Sequence, residues 1–267
     1  MPGELSGAVA IITGAGRGFG RSIALRFAAE GAAVTVTARS RVELDAVVRE
    51  IETTGGRALA VTGDVTQAKD VVRVVDASEQ KFGATTLLVS NAGVPGPFGP
   101  IWAVDPEAWW AAQQVHIRAP FLYLHRVLPG MTERRSGRII IVSALASRVV
   151  APYLSAYCVG KLAQTRITAE AAAETKDLGV QVFAIDPGFV FTGIAQETMS
   201  SADAQRWLPG MVARLRAQKD APGRDADLAR CAQRCVDLAS GRYDALSGRY
   251  MELGDDIDAL RTSAQTG

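Results

Sequence analysis

Cysteine is scarce in this sequence, and charge of one sign never accumulates. The 267 residues include three cysteines, Cys158, Cys231 and Cys235, and this odd number in a chain without an evident export signal argues against a disulfide framework. Lys and Arg total 29 against 28 Asp and Glu, which gives a formal net charge of +1. That balance argues against a nucleic-acid or anionic-membrane partner.

Long hydrophobic runs are also missing. No apolar stretch approaches the roughly 20 residues that span a bilayer. The first residues, MPGELSGAVAIITGAG, have neither a basic flank nor a small-residue cleavage site, so we expect no export signal and a cytoplasmic protein. Cys231 and Cys235 stand one helical turn apart without a nearby His or further Cys, so we expect no metal site.

Short β-branched runs alternate with longer, Ala-rich amphipathic segments along the whole chain. Nearly continuous apolar runs are typical of strands covered on both faces, and helices between them supply the crossovers of a parallel sheet. The pattern predicts one α/β domain over residues 1–267, with a doubly wound parallel sheet flanked by helices. The predicted strands are VAIITG, AVTVTA, ALAVTGDV, TLLVSNAG, GRIIIVSA, VQVFAIDPG and GRYMEL.

Helical patterns separate these strands. The predicted helices are residues 21–30, RVELDAVVREIETTG, AKDVVRVVDASEQKFG, PEAWWAAQQVHIRAPFLYLHRVLPGM and YLSAYCVGKLAQTRITAEAAAETKDLG. From position 188 to about 223 the pattern weakens into a mixed stretch, which we interpret as a mobile flap over a pocket, at about 189–222.

Four glycines, Gly14, Gly16, Gly18 and Gly20, lie between the first strand and the first helix. A backbone without side chains can approach a pyrophosphate closely, and the start of the following helix presents free N–H groups to it. A structural turn is the alternative, but the strand before and the helix after favour a dinucleotide site.

Tyr157 and Lys161 stand four residues apart in AYCVGK, on one face of a predicted helix. A positioned phenol can donate or accept a proton, and a nearby ammonium would favour its phenolate by about 4 kcal/mol. Tyr153 lies one turn earlier, so spacing alone leaves two candidate phenols. Tyr153 has no lysine four residues later, which favours a packing or pocket-wall role for it.

The chain resembles the short-chain dehydrogenase/reductase family. That family is defined by a T-G-x-x-x-G-x-G pattern, an Asn-Ala-Gly run after the fourth strand, and Tyr-x-x-x-Lys with an upstream Ser. Here these are residues 13–20, residues 91–93, and Tyr157 and Lys161 with Ser143. The resemblance implies a Rossmann-like fold and a nicotinamide-dependent enzyme in which Tyr157 is the general acid or base and Ser143 holds the substrate oxygen.

The resemblance also implies a set of cofactor contacts. GDV at 63–65 falls where the family contacts the nucleobase, and DPG at 186–188 where it contacts the nicotinamide. Thr192 has a second interpretation, because it precedes a probable helix and could cap it. The implied contacts are Thr13, Gly14, Arg17, Gly18, Phe19, Gly20, Arg39, Asp64, Val65, Asn91, Ala92, Gly93, Tyr157, Lys161, Pro187, Gly188, Val190 and Thr192.

The end of the second strand predicts which nicotinamide cofactor fits. NAD sites place an acid there to hold both ribose hydroxyls, but this sequence has Ala38 followed by Arg39. A guanidinium can bind a 2′-phosphate bidentately, and Arg17 offers a second cation in the glycine loop. NADP is therefore expected rather than NAD, with solvated surface roles as the alternative for both arginines.

One departure from the family concerns the long helix before Ser143. The family has Val-Asn and then Gly-x-Phe there, whereas this chain has His116 at the Asn and Ala119 at the Gly. His116 could replace the Asn through its backbone carbonyl, relay protons itself as a fourth catalytic residue, or only pack beside the active-site helix. The sequence leaves these alternatives open.

Predicted pocket walls are mainly apolar, which favours a hydrophobic or aromatic ketone or secondary alcohol as substrate, with plain core packing as the alternative for each of these side chains. The resemblance implies a homodimer or homotetramer. Two other functions stay open: epimerisation or dehydration with transient use of the cofactor, and a non-catalytic NADP-binding regulatory module, which the intact Ser, Tyr and Lys disfavour. The predicted walls are Val94, Leu145, Tyr153 and Phe189, with Pro95, Phe98, Trp102, Phe191, Met199 and Trp207.

Overall fold

Seven strands form one sheet in which every neighbouring pair is parallel. The computed structural model describes residues 3–219, 221 and 226–266. The strand order is β3-β2-β1-β4-β5-β6-β7, which confirms the predicted Rossmann-like doubly wound fold. The strands are β1 (Val9–Thr13), β2 (Ala33–Ala38), β3 (Arg57–Thr62), β4 (Leu87–Ser90), β5 (Gly137–Val142), β6 (Val180–Ile185) and β7 (Tyr250–Met251).

Helices cover both faces of this sheet, and the strand residues alternate between them. Ile12 packs in a core with the helices Gly18–Ala29 and Ala226–Ala239, whereas Ile11 packs in a second core with the helices Ala119–Glu133 and Ser155–Thr175. This double coverage explains why the strands have nearly continuous apolar runs. The helices are α1 (Gly18–Ala29), α2 (Arg41–Thr53), α3 (Ala68–Phe82), α4 (Pro106–Gln113), α5 (Ala119–Glu133), α6 (Ser155–Thr175), α7 (Gly193–Ser200), α8 (Ala202–Trp207), α9 (Pro209–Lys219), α10 (Ala226–Ala239) and α11 (Ile257–Thr266).

The long helix predicted before Ser143 contains a π-helical turn. Residues Gln114–Arg118 form this turn, which joins α4 to α5 with right-handed helical backbone angles at both junctions. A π turn holds one more residue than an α-helical turn and is frequent at functional sites. The predicted start of the first helix at 21 was wrong, because the helix already begins at Gly18 within the glycine loop.

The segment interpreted as a flap is more regular than its sequence pattern predicted. It consists mainly of α7, α8 and α9, although positions 220 and 222 of the predicted range lie outside the described residues. These helices are short and begin separately: Ser201 caps α8 by accepting a hydrogen bond from the backbone N–H of Ala204, and Pro209 begins α9. Helices this short contain too few turns for a helical repeat of apolar residues to be recognised in the sequence.

Within the described residues, no helix is long and apolar enough to cross a membrane. Cys158, Cys231 and Cys235 are free thiols. Cys231 and Cys235 are fully buried on α10, and the same part of the chain contains no group of three metal-binding side chains.

Candidate active site

A cavity of about 660 Å³ opens at the carboxyl ends of the strands, where the order of the sheet reverses between β1 and β4. Ligands of doubly wound sheets bind at this place. Many of the sequence-predicted contacts line the cavity: Gly14, Arg17, Gly18, Phe19, Arg39, Asp64, Val65, Asn91, Ala92, Gly93, Val94 and Thr192. The other predicted site residues do not line it: Thr13, Gly20, His116, Ser143, Leu145, Tyr153, Tyr157, Lys161, Pro187, Gly188, Phe189 and Val190.

Thr13 and Asn91 join the glycine loop to β4 beneath the cavity. The Thr13 hydroxyl accepts hydrogen bonds from the backbone N–H groups of Asn91 at 2.9 Å and Ala92 at 3.0 Å. The Asn91 side-chain amide donates to the carbonyls of Thr13 at 2.9 Å and Gly14 at 3.2 Å. These four hydrogen bonds fix the glycine loop where β1 and β4 diverge. Thr13 therefore supports the loop from beneath the cavity and does not line the cavity itself.

Glycine is required in this loop for close approach. A Cβ on Gly20 would lie 2.5 Å from the Asn91 amide nitrogen and would also overlap the Gly14 carbonyl. Gly14 has φ of 63°, and a Cβ there would lie 3.0 Å from the backbone of Ala92. The residues present therefore form a bare backbone cradle at a helix start, which fits the pyrophosphate of a dinucleotide.

Arg17 and Arg39, the two cations predicted to select the cofactor, have different surroundings. Arg39 is exposed at the cavity rim and makes no hydrogen bond or ion pair with the part of the chain that the structure describes. The Arg17 guanidinium forms an ion pair of 2.8 Å with Glu197 on α7, and both side chains are about half exposed. Arg39 is thus available to an anion, whereas Arg17 is already paired.

Two acids on the cavity rim were missed by the sequence interpretation. Glu197 is the partner of Arg17, and Glu43 lies over Gly16, where a Cβ would be 2.8 Å from its carboxylate oxygen. Glu43 had a sequence signal, because Ser40 caps α2 by accepting from the Glu43 N–H, and this Ser-x-x-Glu spacing marks a helix start. Glu197 had none, since its contact spans 180 residues.

The predicted reacting groups converge at the ends of β5 and α6. The Ser143 hydroxyl, directly after β5, donates to the Lys161 backbone carbonyl at 2.9 Å. Lys161 Nζ lies 5.6 Å from the centre of the Tyr157 ring and donates to the Val142 carbonyl at 2.9 Å and the Gln164 amide oxygen at 3.1 Å. The structure therefore brings Ser143, Tyr157 and Lys161 together, and adds the buried Gln164, which the sequence interpretation missed.

Burial dominates the titration of this pair. It lowers the pKa of the Lys161 ammonium to about 7, against which the nearby Asp186 acts to raise it. Burial also raises the pKa of the Tyr157 phenol, and the charge of Asp186 adds to that rise. Burial is thus the largest cause for both groups, and the stabilisation of a Tyr157 phenolate by Lys161 stays a prediction.

Asp186 opens the DPG run at 186–188 and is a further charged group near Tyr157 and Lys161. It follows β6 and accepts a hydrogen bond of 3.1 Å from the backbone N–H of Leu145. Burial raises the pKa of this carboxyl group, and its hydrogen bonds from backbone N–H groups lower it. The carboxylate fixes the turn that follows Ser143 and places a negative charge near Tyr157 and Lys161.

The predicted nicotinamide contacts stand at the end of β6 and the start of α7. Pro187 and Val190 are buried, and Gly188 has φ of 89°. Thr192 occupies the cap position of α7, but its side chain makes no capping hydrogen bond, so the capping alternative does not describe it. Its methyl group would be 3.2 Å from a Cβ on Gly18.

The predicted substrate walls divide into three groups. Tyr153 has φ of 68° and packs on Trp207, with ring centroids 5.2 Å apart, at a second cavity of about 510 Å³. Phe98 is buried in a small core, and Phe189 lies under the Arg214 guanidinium at 4.2 Å. Leu145 and Trp102 are exposed, and Trp102 lines the second cavity with Tyr153.

The geometry agrees with the comparisons to known proteins. A family described as short chain dehydrogenase matches residues 8–203. The chain belongs to the short-chain dehydrogenase/reductase family. This membership makes it an oxidoreductase that acts on an alcohol or ketone group with a nicotinamide cofactor.

Curated members of this family are similar over most of the chain. A short chain dehydrogenase of Pseudocercospora fijiensis is 31% identical over 98% of this chain and 85% of its own length. A 2-(S)-hydroxypropyl-CoM dehydrogenase of Xanthobacter autotrophicus is 35% identical over 75% of this chain and 79% of its own. A cyclohexanol dehydrogenase of Acinetobacter is 30% identical over 74% and 78%.

Solved structures share the whole architecture. Levodione reductase superposes with a TM-score of 0.82 over 93% of this chain and 96% of its own, at 23% identity, which shows the fold alone. A short-chain dehydrogenase/reductase from Burkholderia xenovorans has a TM-score of 0.82 and 27% identity over 96% of this chain and 98% of its own.

Proposed function

We propose that this protein is an NADP(H)-dependent oxidoreductase of hydrophobic ketones or secondary alcohols, with Tyr157 as its general acid and base. The observation on which this rests is the convergence of Ser143, Tyr157 and Lys161 next to the glycine-cradled cavity, where a Cβ on the lining residue Gly93 would lie 3.8 Å from Lys161 Nζ. When bound, the nicotinamide would supply or accept the hydride at the substrate carbon. The chain itself supplies the backbone cradle for the cofactor and, through Tyr157, the proton for the substrate oxygen.

Tyr157 and Ser143 would act on the substrate oxygen. In reduction, the Tyr157 phenol donates a proton to that oxygen, and in oxidation the phenolate takes it back. The Ser143 hydroxyl, which donates to the Lys161 carbonyl at 2.9 Å, would turn its proton toward the substrate oxygen and stabilise the forming alkoxide. Burial raises the pKa of Tyr157, which keeps the phenol protonated, as a proton donor in reduction must be.

Lys161 would set the charge beside the phenol. Because the pKa of Lys161 is about 7, only part of its population carries the proton near neutrality. A modest rise in that pKa would leave Lys161 almost fully protonated at neutral pH. An anion or hydroxyl group bound near Nζ would cause such a rise, since it would add a partner to those at Val142 and Gln164. A charged Lys161 would in turn lower the pKa of Tyr157.

The preference for NADP is supported by the charges at the cavity rim. No acid ends β2, where Ala38 stands, and the exposed Arg39 guanidinium lines the cavity without a partner among the described side chains. Arg39 would hold the 2′-phosphate, with Arg17 as a second cation once it leaves Glu197. Asp64 and Val65 would hold the nucleobase, and Thr192 with Val190 the carboxamide.

The substrate class is supported by the apolar cluster of Phe98, Leu154, Ala204 and Val212, against which Tyr157 packs, and by the named relatives. Val94, Leu145, Tyr153 and Phe189 would form its walls. Two similar enzymes are named for oxidation of a small secondary alcohol, cyclohexanol in one and 2-(S)-hydroxypropyl-CoM in the other. A cyclic or short-chain ketone therefore fits better than a sugar.

The proposed assembly is a homodimer or homotetramer of single 1–267 catalytic domains in the cytoplasm. Large apolar side chains on α4, α5 and α6 support it, because Trp110, Phe121 and Leu162 are each more than half exposed. Such a surface is costly in a monomer. Light scattering should give two or four copies, and a monomer at micromolar concentration would refute this part.

A substrate panel with all four nicotinamide cofactors tests the proposed function. The panel contains cyclohexanone, aliphatic and aryl methyl ketones, their alcohols, and sugars as polar controls. We expect turnover of the apolar compounds with NADPH and NADP⁺ and much slower turnover with NADH and NAD⁺. Turnover of sugars alone, or a preference for NAD(H), would refute the substrate class or the cofactor respectively.

A further inference from the structure

His116 lies at the centre of the π-helical turn and is completely buried. The extra residue of a π turn displaces side chains from the regular helical stripe. Here it directs the imidazole toward α6, where the ring contacts Tyr157 and Gly160. The histidine therefore stands between the loop after β4 and the helix that bears the reacting phenol.

One ring nitrogen of His116 holds that loop. Nε2 lies 2.9 Å from the backbone carbonyl of Val94. Because a carbonyl only accepts hydrogen bonds, Nε2 must bear the proton, which leaves Nδ1 as the acceptor nitrogen. Nδ1 is buried and has no hydrogen-bond partner among the residues that the structure describes. Val94 lines the large cavity, so this bond fixes part of its wall.

Gly160 provides the space for the imidazole. A Cβ at position 160 would lie 2.5 Å from His116 Cβ, 2.8 Å from Cγ and 3.0 Å from Cδ2. Gly160 does not have a positive φ, so its backbone does not require glycine. Glycine inside a helix costs about 1 kcal/mol relative to alanine. Its presence in α6 is therefore explained by the close approach of His116.

The same imidazole contacts the Tyr157 ring. The two rings meet edge to face, with centroids 5.5 Å apart and planes at 90°. A single buried side chain thus contacts the Val94 carbonyl on one side and Tyr157 and Gly160 on the other. We infer that His116 is a positioning residue, whose Nε2–H bond to Val94 fixes the cavity wall relative to the Tyr157 phenol. This inference rests on the proposed role of Tyr157.

A proton relay through His116 does not fit these surroundings. Burial and the nearby charge of Lys161 lower the pKa of the imidazole to about 3, although the Val94 carbonyl acts to raise it. The ring is therefore neutral near pH 7 and would accept a proton only at strong cost. A positioning role needs no change of protonation, and it uses the hydrogen bond that the structure shows.

Three substitutions separate positioning from relay and from simple packing. His116→Gln keeps an N–H donor of similar reach but cannot exchange a proton, and His116→Phe keeps the ring but loses the donor. We expect Gln to retain kcat within about threefold of wild type with an unchanged pH profile. We expect Phe and Ala to lower kcat at least about tenfold, because a displaced reacting group is penalised steeply. Loss of activity in Gln, or wild-type activity in Phe, would overturn the inference.

A second measurement needs neither turnover nor a variant. In protein labelled with ¹⁵N-histidine, long-range ¹H–¹⁵N spectra distinguish the two neutral tautomers, with the exposed His125 as the second signal. We expect His116 to remain the neutral Nε2–H tautomer from about pH 5 to pH 8. An Nδ1–H tautomer, or protonation in that range, would overturn the inference. Absent turnover with this signal intact would instead refute the proposed function alone.

Discussion

The Arg17 guanidinium lies 2.8 Å from the Glu197 carboxylate, and this ion pair joins the glycine loop to α7 across the rim of the cavity. The same guanidinium packs against Gly193 at the start of α7. Arg17 was expected to bind a cofactor phosphate, so the pair introduces a competitor for that cation. Both side chains are about half exposed, which limits the strength of the pair.

Glu197→Gln should therefore strengthen NADPH binding. An exposed ion pair is worth up to about 1 kcal/mol, so release of Arg17 should lower the dissociation constant of NADPH about two- to fivefold. NADH, which lacks the 2′-phosphate, should bind as before. Calorimetric titration measures both, with Glu52→Gln on the exposed face of α2 as the control. An equal change for both cofactors would show that Arg17 does not meet the 2′-phosphate.

Arg39→Asp should reverse the cofactor preference. The new acid would repel a 2′-phosphate and could instead accept hydrogen bonds from ribose hydroxyls. We expect the ratio of kcat/KM for NADP⁺ to that for NAD⁺ to fall by about 100-fold, which corresponds to about 2.7 kcal/mol. Arg49→Asp, an exposed charge change on α2 outside the cavity lining, is the matched control. An unchanged ratio would rule out Arg39 as the phosphate ligand.

Gly20→Ala should damage the dinucleotide cradle. The added methyl group would lie 2.5 Å from the Asn91 amide and overlap the Gly14 carbonyl, so the loop must move. We expect cofactor affinity to fall at least about tenfold, because the backbone could no longer approach a pyrophosphate. Gly210→Ala on α9 is the control, since a Cβ at that position would meet no atom within 4 Å. Equal affinity in the two variants would contradict the cradle.

His116 should make the protein sensitive to acid. Folding lowers the pKa of its imidazole from 6.5 to about 3, so below about pH 6.5 the unfolded chain binds a proton that the folded chain does not. The stability present above the unfolded pKa is therefore lost as the pH falls from about 6.5 toward 3. At pH 5 this loss amounts to about 2 kcal/mol.

Urea denaturation of wild type and His116→Gln at pH 8 and pH 5 measures that loss. We expect the free energy of unfolding to decrease between the two pH values by about 2 kcal/mol more in wild type than in the variant. A His125→Gln variant, altered on the exposed surface of α5, should follow wild type. Identical pH dependence in all three proteins would show that the imidazole is protonated in the folded state.

The sequence predicted the sheet and its reacting groups because both depend on local pattern. Seven apolar runs became the seven strands, and Tyr157 and Lys161 share a helical face as their spacing indicated. The glycine loop was recognisable for the same reason, since Gly14 and Gly20 stand between a strand and a helix. These local motifs also follow one another in the order typical of the family, which is why the resemblance could be recognised.

Long-range packing determined what the sequence could not predict. Glu197 pairs with Arg17, 180 residues earlier in the chain, and no periodicity indicates that contact. The desolvation of Lys161 depends on Gln164 and the Val142 carbonyl, so its pKa could not be judged from Tyr-x-x-x-Lys spacing. The need for glycine at position 160 likewise comes from the contact with His116, which is 44 residues away in the chain but adjacent in space.

Turnover by Tyr157→Phe tests the central claim most directly. The substitution removes one hydroxyl and keeps the ring against His116 and Lys161, so binding should survive while proton transfer does not. With the best ketone and NADPH, we expect kcat to fall at least about 100-fold with little change in the NADPH dissociation constant. Tyr153→Phe, which alters the neighbouring phenol, should retain kcat. Turnover near the wild-type rate in Tyr157→Phe would contradict the assignment of Tyr157 as the proton carrier.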